Sequence, residues 1–195
     1  RQGFTAGDGI PESAVAGVEA IYLRTLEQLE AILGKRPFLL GDSPSLADIG
    51  FSGPMFRHFG LDPVPAEIMR TQAPNVYEWA ARLWNYRLSD QDSQLMEGIP
   101  SDWGPILDEI GTHYLPYLCA NNKAVAADKL VFDADLAGVD YRKARSSRYR
   151  VWCLARIREN FQTMPQESQA AAQSLLEQHG CWEPLWRDSE LPMAP

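Results

Sequence analysis

Two helix boundaries lie close together near the first quarter of this chain, and they constrain its fold more than anything else in it. Gly34-Lys35-Arg36-Pro37 ends a helix: glycine can take the left-handed conformation that closes one, two cations suit its negative end, and proline blocks continuation. Ser45-Leu46-Ala47-Asp48 opens the next. The Ser45 hydroxyl can accept from the Asp48 backbone N–H while the Asp48 carboxylate reaches back to the Ser45 N–H, a capping box with Asp in the usual Glu/Gln place. The Asp48 charge also suits a first helical turn. Between the two boundaries, Phe38-Leu39-Leu40 is a short apolar run and Gly41-Asp42-Ser43-Pro44 a turn.

Periodicity supplies the helices that these boundaries separate. Val15, Val18, Tyr22, Leu26, Leu29 and Leu33 recur every three or four residues and predict a helix over 13–34. Leu46, Ile49, Gly53 and Phe56 line one face of a second helix, 45–59, expected near the centre of the fold and kinked at Pro54. Asp62-Pro63-Val64-Pro65 reads as a break, followed by a short helix at 66–72; Val76, Trp79, Ala80 and Leu83 mark another. Residues 89–105 read as a loop, and Ile106, Ile110, Tyr114, Tyr117 and Leu118 start a helix running to Lys129, kinked at Pro116. Apolar and polar residues alternate around Gly138, so a small β-hairpin is expected near 130–141. Tyr149, Trp152, Cys153, Ile157 and Phe161 mark a further helix, and Pro165 begins the last one, which Gly180 ends. The tail from Cys181 reads as irregular. The expected fold class is all-α, a helical bundle: an irregular arm 1–12, a helical core 13–88, and a helical extension 89–195 packed on the same core.

Composition narrows the partners. A chain of 195 residues with 45% apolar and 23% charged residues is long enough for one core and too apolar for disorder. No apolar run approaches the roughly 20 residues that span a bilayer. With 18 basic and 26 acidic residues the net charge is −8, which disfavours nucleic acid and anionic membrane surfaces. Cys119, Cys153 and Cys181 are too few and too scattered for a disulfide framework, which points to a reducing compartment, the cytoplasm. The chain begins with Arg1, so either something upstream was removed or the chain is part of a longer product.

Chemistry-bearing patterns are sparse. His58, His113 and His179 stand alone, with no second His or Cys at ligand spacing, so no metal site is expected. Gly50-Phe51-Ser52-Gly53 has its second glycine one place early for a nucleophile elbow and lies inside a helix. Arg142, Lys143, Arg145, Arg148 and Arg150 could hold an anion, or form a solvated turn. Phe56, His58, Phe59, Trp103, His113 and Tyr117 could line an apolar pocket with a few polar handles, or simply pack a core.

The stretch from Arg36 to Ile49, with Asn75-Val-Tyr-Glu-Trp-Ala-Ala-Arg82 after it, resembles the helical C-terminal domain of the glutathione transferase superfamily. The resemblance covers 13–88; residues 99–188 are similar to the helical C-terminal extension of larger bacterial members. It implies an all-α fold, with Ser45 and Asp48 as the structural capping box of a buried helix. The superfamily's thioredoxin-like N-terminal domain, which carries the thiol-activating Ser, Tyr or Cys, has no counterpart here, nor does the first helix of its helical domain. No catalytic residue carries over. The resemblance implies glutathione as co-substrate and an electrophilic apolar acceptor, with this chain as the helical half; the competing reading is a stand-alone helical module that binds a partner protein or a small apolar ligand without chemistry. A helical half without its partner domain keeps apolar surface that must be covered, so a homodimer through helix 13–34, with its near-heptad spacing, or through the arm is expected; the alternative is a monomer in which residues 148–187 fold back over that surface.

Overall fold

The computed structural model describes residues 7–87 and 95–189. They fall into two compact units, one comprising 21–105 and the other the residues up to 20 together with those from 106 onward. Among the described residues the structure is helical apart from one two-stranded antiparallel sheet, and no helix is long and apolar enough to cross a membrane.

A single 3-10 turn, Glu12–Ala14, leads into α1, Val15–Leu33. Leu26, Leu29, Ile32 and Leu33 are its buried residues, so the inward stripe occupies the second half and Val15 is exposed. Gly34 ends α1 with an ordinary φ; the left-handed glycine of this region is Gly41, whose backbone pairs with Phe38. α2, Leu46–Pro54, starts at Ser45 with the predicted capping box. Its expected apolar face is overturned: Leu46 is 90% and Ile49 59% exposed, and the residue α2 buries is Asp48. The helix is not seated centrally on an apolar stripe; it is anchored through a carboxylate. At Pro54, which has no N–H to give, the helix widens into a π turn over Met55–Phe59 that closes with Gly60 N–H to Met55 O at 2.7 Å.

The 62–65 segment is a helix start, not a break. α3 runs Pro63–Gln72 with Asp62 as extended N-cap and Pro63 in the first turn, where its missing N–H costs nothing. α4, Pro74–Trp84, follows after Ala73 and buries Val76, Trp79 and Ala80. Glu30 of α1 closes the N-terminus of α4, accepting from Asn75 Nδ2 at 2.6 Å and Val76 N–H at 3.2 Å.

Residues 89–94 of the expected loop lie outside the described residues. The part that follows is more ordered than a loop: Ser101–Trp103 is a 3-10 turn and α5 begins at Gly104 and ends at Glu109. Asp102 receives the Arg36 guanidinium bidentately, at 2.8 and 2.9 Å, while Arg36 Nε donates to Leu39 O at 3.0 Å. Hydrogen bonding from Arg36 holds the Asp102 carboxyl below the usual carboxylate range. A carboxyl with a depressed folded pKa contributes stability that is present above its unfolded pKa and lost as pH falls through the folded one. Between pH 7 and pH ~3 the urea midpoint of the wild type should therefore fall further than that of Asp102→Asn. Equal falls in the two proteins would show that the pair contributes nothing to acid sensitivity.

In the other unit a π turn, Ile110–Tyr114, precedes α6, Leu115–Ala126, so the irregularity expected at Pro116 lies just before it. The hairpin is longer than its alternation indicated: β1 is Val131–Leu136 and β2 is Val139–Arg145. Ala137 and Gly138 both take positive φ, the geometry of a two-residue hairpin turn. Register shifts between Phe132 and Ala134, leaving an extra residue on β2. Gly9 of the arm accepts from the Arg142 N–H at 2.8 Å; residues 1–6 of the arm lie outside the described residues.

Ser147, the N-cap of α7, Arg148–Gln162, is held by the buried Asn121, whose amide accepts from the Ser147 N–H at 2.7 Å and donates to the Ser147 O at 2.9 Å. α8, Gln166–Gln178, ends at a left-handed Gly180 with Gly180 N–H on Glu177 O and Cys181 N–H on Leu176 O, the paired bonds of a Schellman motif. The tail is not irregular throughout. α9, Trp182–Trp186, buries Pro184 and Leu185, and Leu185 joins Leu115, Leu118, Leu154 and Cys181 in one apolar cluster.

Candidate functional site

Asp48 is the polar centre of the 21–105 unit. Its side chain is wholly buried. Oδ1 accepts from the Leu39 N–H at 2.9 Å and the Trp79 indole N–H at 2.8 Å; Oδ2 accepts from the Ser45 N–H at 2.8 Å and the Ser45 hydroxyl at 2.7 Å. One carboxylate thus ties the start of α2 to the 38–41 turn and to the middle of α4. Arg82, one turn on from Trp79, donates to Pro37 O at 2.7 Å. Trp103 donates its indole N–H to Leu39 O at 3.1 Å and lies edge-on to Phe51.

The aromatic side chains proposed from sequence take separate partners. Phe56 stacks on Trp84 at 4.6 Å with planes 12° apart, and Trp84 is 71% exposed, so this pair offers a flat aromatic surface. Phe59 packs on Tyr22 at 4.4 Å; burial pushes the Tyr22 phenol up, and its hydroxyl donates to Pro65 O at 3.0 Å. His58 is exposed on the π turn between them. Trp103 is buried.

His113 and Tyr117 belong to the other unit, where the hairpin residue Tyr141 brings them together. Tyr141 shares a 2.8 Å hydrogen bond with His113 Nε2 and packs edge-on to Tyr117 at 5.1 Å. Arg150 lies 5.2 Å over the Tyr117 ring. Burial raises both phenols above the ordinary tyrosine value, so they stay neutral donors at physiological pH. Sequence reading singled out His113 and Tyr117 but not Tyr141, which reaches them only through the hairpin.

The basic cluster does not act as one patch. Arg142 pairs with Asp135 across the hairpin and with Asp140 on its own strand, Arg150 donates to Arg145 O as well as covering Tyr117, and Lys143 takes a left-handed backbone. Two of the three thiols, Cys119 and Cys181, are buried, while Cys153 is partly exposed. Cys119 donates to Pro184 O and Cys181 to Leu107 O, and burial pushes Cys181 up to about 11. Among the described residues no group of three or more His, Cys, Asp or Glu side chains could hold a metal.

Residues 12–82 match the protein-family model described as glutathione S-transferase, C-terminal domain. The match ends at Arg82 and takes in Ser45, Asp48, Asn75 and Trp79, the residues that tie α1, α2 and α4 together. No curated protein and no solved structure matches the chain.

Proposed function

Because residues 12–82 match the family model for the glutathione S-transferase C-terminal domain, we propose that this chain is the electrophile-binding half of a glutathione-transferase-like protein. Glutathione is the co-substrate, and its thiol is activated by a thioredoxin-like domain, as in the superfamily. The observation that carries this reading is the family match itself, supported by the way its polar residues are used. Asp48, Trp79 and Asn75 bond to other parts of the chain. They shape a scaffold and take no part in the chemistry.

The acceptor surface we assign is the exposed Phe56–Trp84 stack beside the Phe59–Tyr22 pair, with His58 exposed on the same turn. Flat aromatic faces suit an aryl or conjugated electrophile through offset stacking. The protein works in the cytoplasm, where its cysteines stay reduced. Passage of this chain over immobilised glutathione tests the division of labour. The expected result is elution with the void volume. Retention that free glutathione reverses would place a complete thiol site within these 195 residues.

The chain acts as a homodimer in this proposal, with α1 or the arm at the interface; Val15 and Leu23 of α1 are exposed apolar side chains available for it. Sedimentation equilibrium at micromolar loading should give twice the 21.9 kDa chain mass. A monomer mass at every loading would remove the dimer while leaving the electrophile site intact.

A further inference from the structure

The chain has four lysines against fourteen arginines, and three of the four, Lys123, Lys129 and Lys143, stand around one open cleft of about 530 Å³ between α6 and the hairpin. The floor is apolar: Ala124 and Phe132 are buried there, with Ala120 beside them. The volume lies within the range of small-molecule sites.

Each ammonium group is presented by backbone that is itself fixed. Lys123 stands on α6, its ammonium 3.1 Å from the Asp188 carboxylate. Asp128 takes a left-handed φ of 53° just past α6; the following Lys129 donates its N–H to Ala124 O at 2.8 Å, and the Ser146 hydroxyl donates to Lys129 O at 2.6 Å. Lys143 occupies the hairpin irregularity at φ 53°, its N–H donating to Asp133 Oδ1 at 2.7 Å. Glycine is the residue that takes this conformation without strain, and bulges re-aim side chains. Lys143 therefore holds a strained backbone at the bulge that aims its side chain. Asp133, the carboxylate at the rim, is engaged by that same backbone N–H. Among the described residues neither the Lys129 nor the Lys143 ammonium has an ion-pair partner.

We propose that this cleft binds a small organic carboxylate with an apolar body. The body lies on Ala120, Ala124 and Phe132, and the carboxylate sits between Lys129 and Lys143. Lysine ammonium groups are compact, mobile point charges, suited to a carboxylate that enters an open cleft without a fixed plane. The residues lining the cleft all lie outside the family match and are separate from those of the electrophile surface.

Octanoate is the probe, titrated at low salt into the full chain and followed by the amide shifts of Ala124, Phe132 and Lys143. Saturable shifts are expected, with octanol and inorganic phosphate each binding more weakly, since one lacks the charge and the other the apolar body. Lys129→Met and Lys143→Gly should each weaken octanoate about fivefold, the upper size of one solvent-exposed ion pair. Lys35→Met, at the fourth lysine, should leave it unchanged. Lys143→Gly should also raise the urea midpoint, because glycine relieves the left-handed backbone; weakened binding in a more stable protein cannot be a folding defect. Unchanged affinity in both variants, octanol binding as tightly as octanoate, or no shifts at these amides would overturn the proposal.

Discussion

Asp48→Ala should lower the unfolding free energy by about 3–5 kcal/mol, several times the loss from an ordinary helix cap. The substitution removes the acceptor of four hydrogen bonds in a fully buried place. Two of the donors left behind, the Leu39 N–H and the Trp79 indole N–H, are buried, and each orphaned buried donor costs about 1–3 kcal/mol. The lost cap adds about 1 kcal/mol. Ser45→Ala, which leaves Asp48 its two Oδ1 bonds, should cost only about 1 kcal/mol. Asp48→Asn should fall between them: the shape is kept, but an amide nitrogen then faces donors. Urea unfolding measures all three, with the slope held constant. An Asp48→Ala loss no larger than that of Ser45→Ala would mean that the carboxylate is a local cap and not the tie between α2, α4 and the 38–41 turn.

Gly111→Ala should cost about 3 kcal/mol, although alanine is the better helix former. A Cβ at this position would lie 2.5 Å from His179 O and 2.9 Å from the Gly180 carbonyl carbon. Both are backbone atoms, and they are held by the Schellman bonds that close α8. The propensity gain is about 1 kcal/mol, and overpacking against atoms that cannot rotate away costs more. Gly50→Ala is the control, because nothing lies within 4 Å of a Cβ there; it should be neutral or stabilising by up to about 1 kcal/mol. A neutral Gly111→Ala would show that the π turn does not press on the α8 terminus.

What the sequence discloses is what depends on neighbours a few residues apart. The Ser45–Asp48 box, the Gly180 stop and the hairpin turn at Gly138 are of this kind, because each is written within one turn of chain. The second role of Asp48 is not, since Leu39 and Trp79 are nine and 31 residues away. A periodic apolar face reveals a helix without saying which way it turns, and so Leu46 and Ile49 were expected inside but lie outside. Pro63 is ambiguous for a chemical reason: the missing N–H that breaks a helix interior is harmless in a first turn. The tail helix at Trp182–Trp186 is a single short turn held by burial of Pro184 and Leu185, which local periodicity cannot register. At the candidate sites, Phe56 and His113 were visible as residue types, but Trp84 and Tyr141 become their partners only through tertiary packing. The lysine cleft depends on a hairpin irregularity that alternation alone does not locate.

The assignment of this chain as the electrophile-binding half rests on what it binds by itself. A pair of calorimetric titrations decides it, one with a dinitrophenyl thioether that lacks the glutathione peptide and one with glutathione alone. The account predicts saturable heat with the aryl thioether, reduced in Phe56→Ala and Trp84→Ala, and none with glutathione. Heat with glutathione and none with the aryl thioether would contradict it, and so would aryl binding that both substitutions leave unchanged.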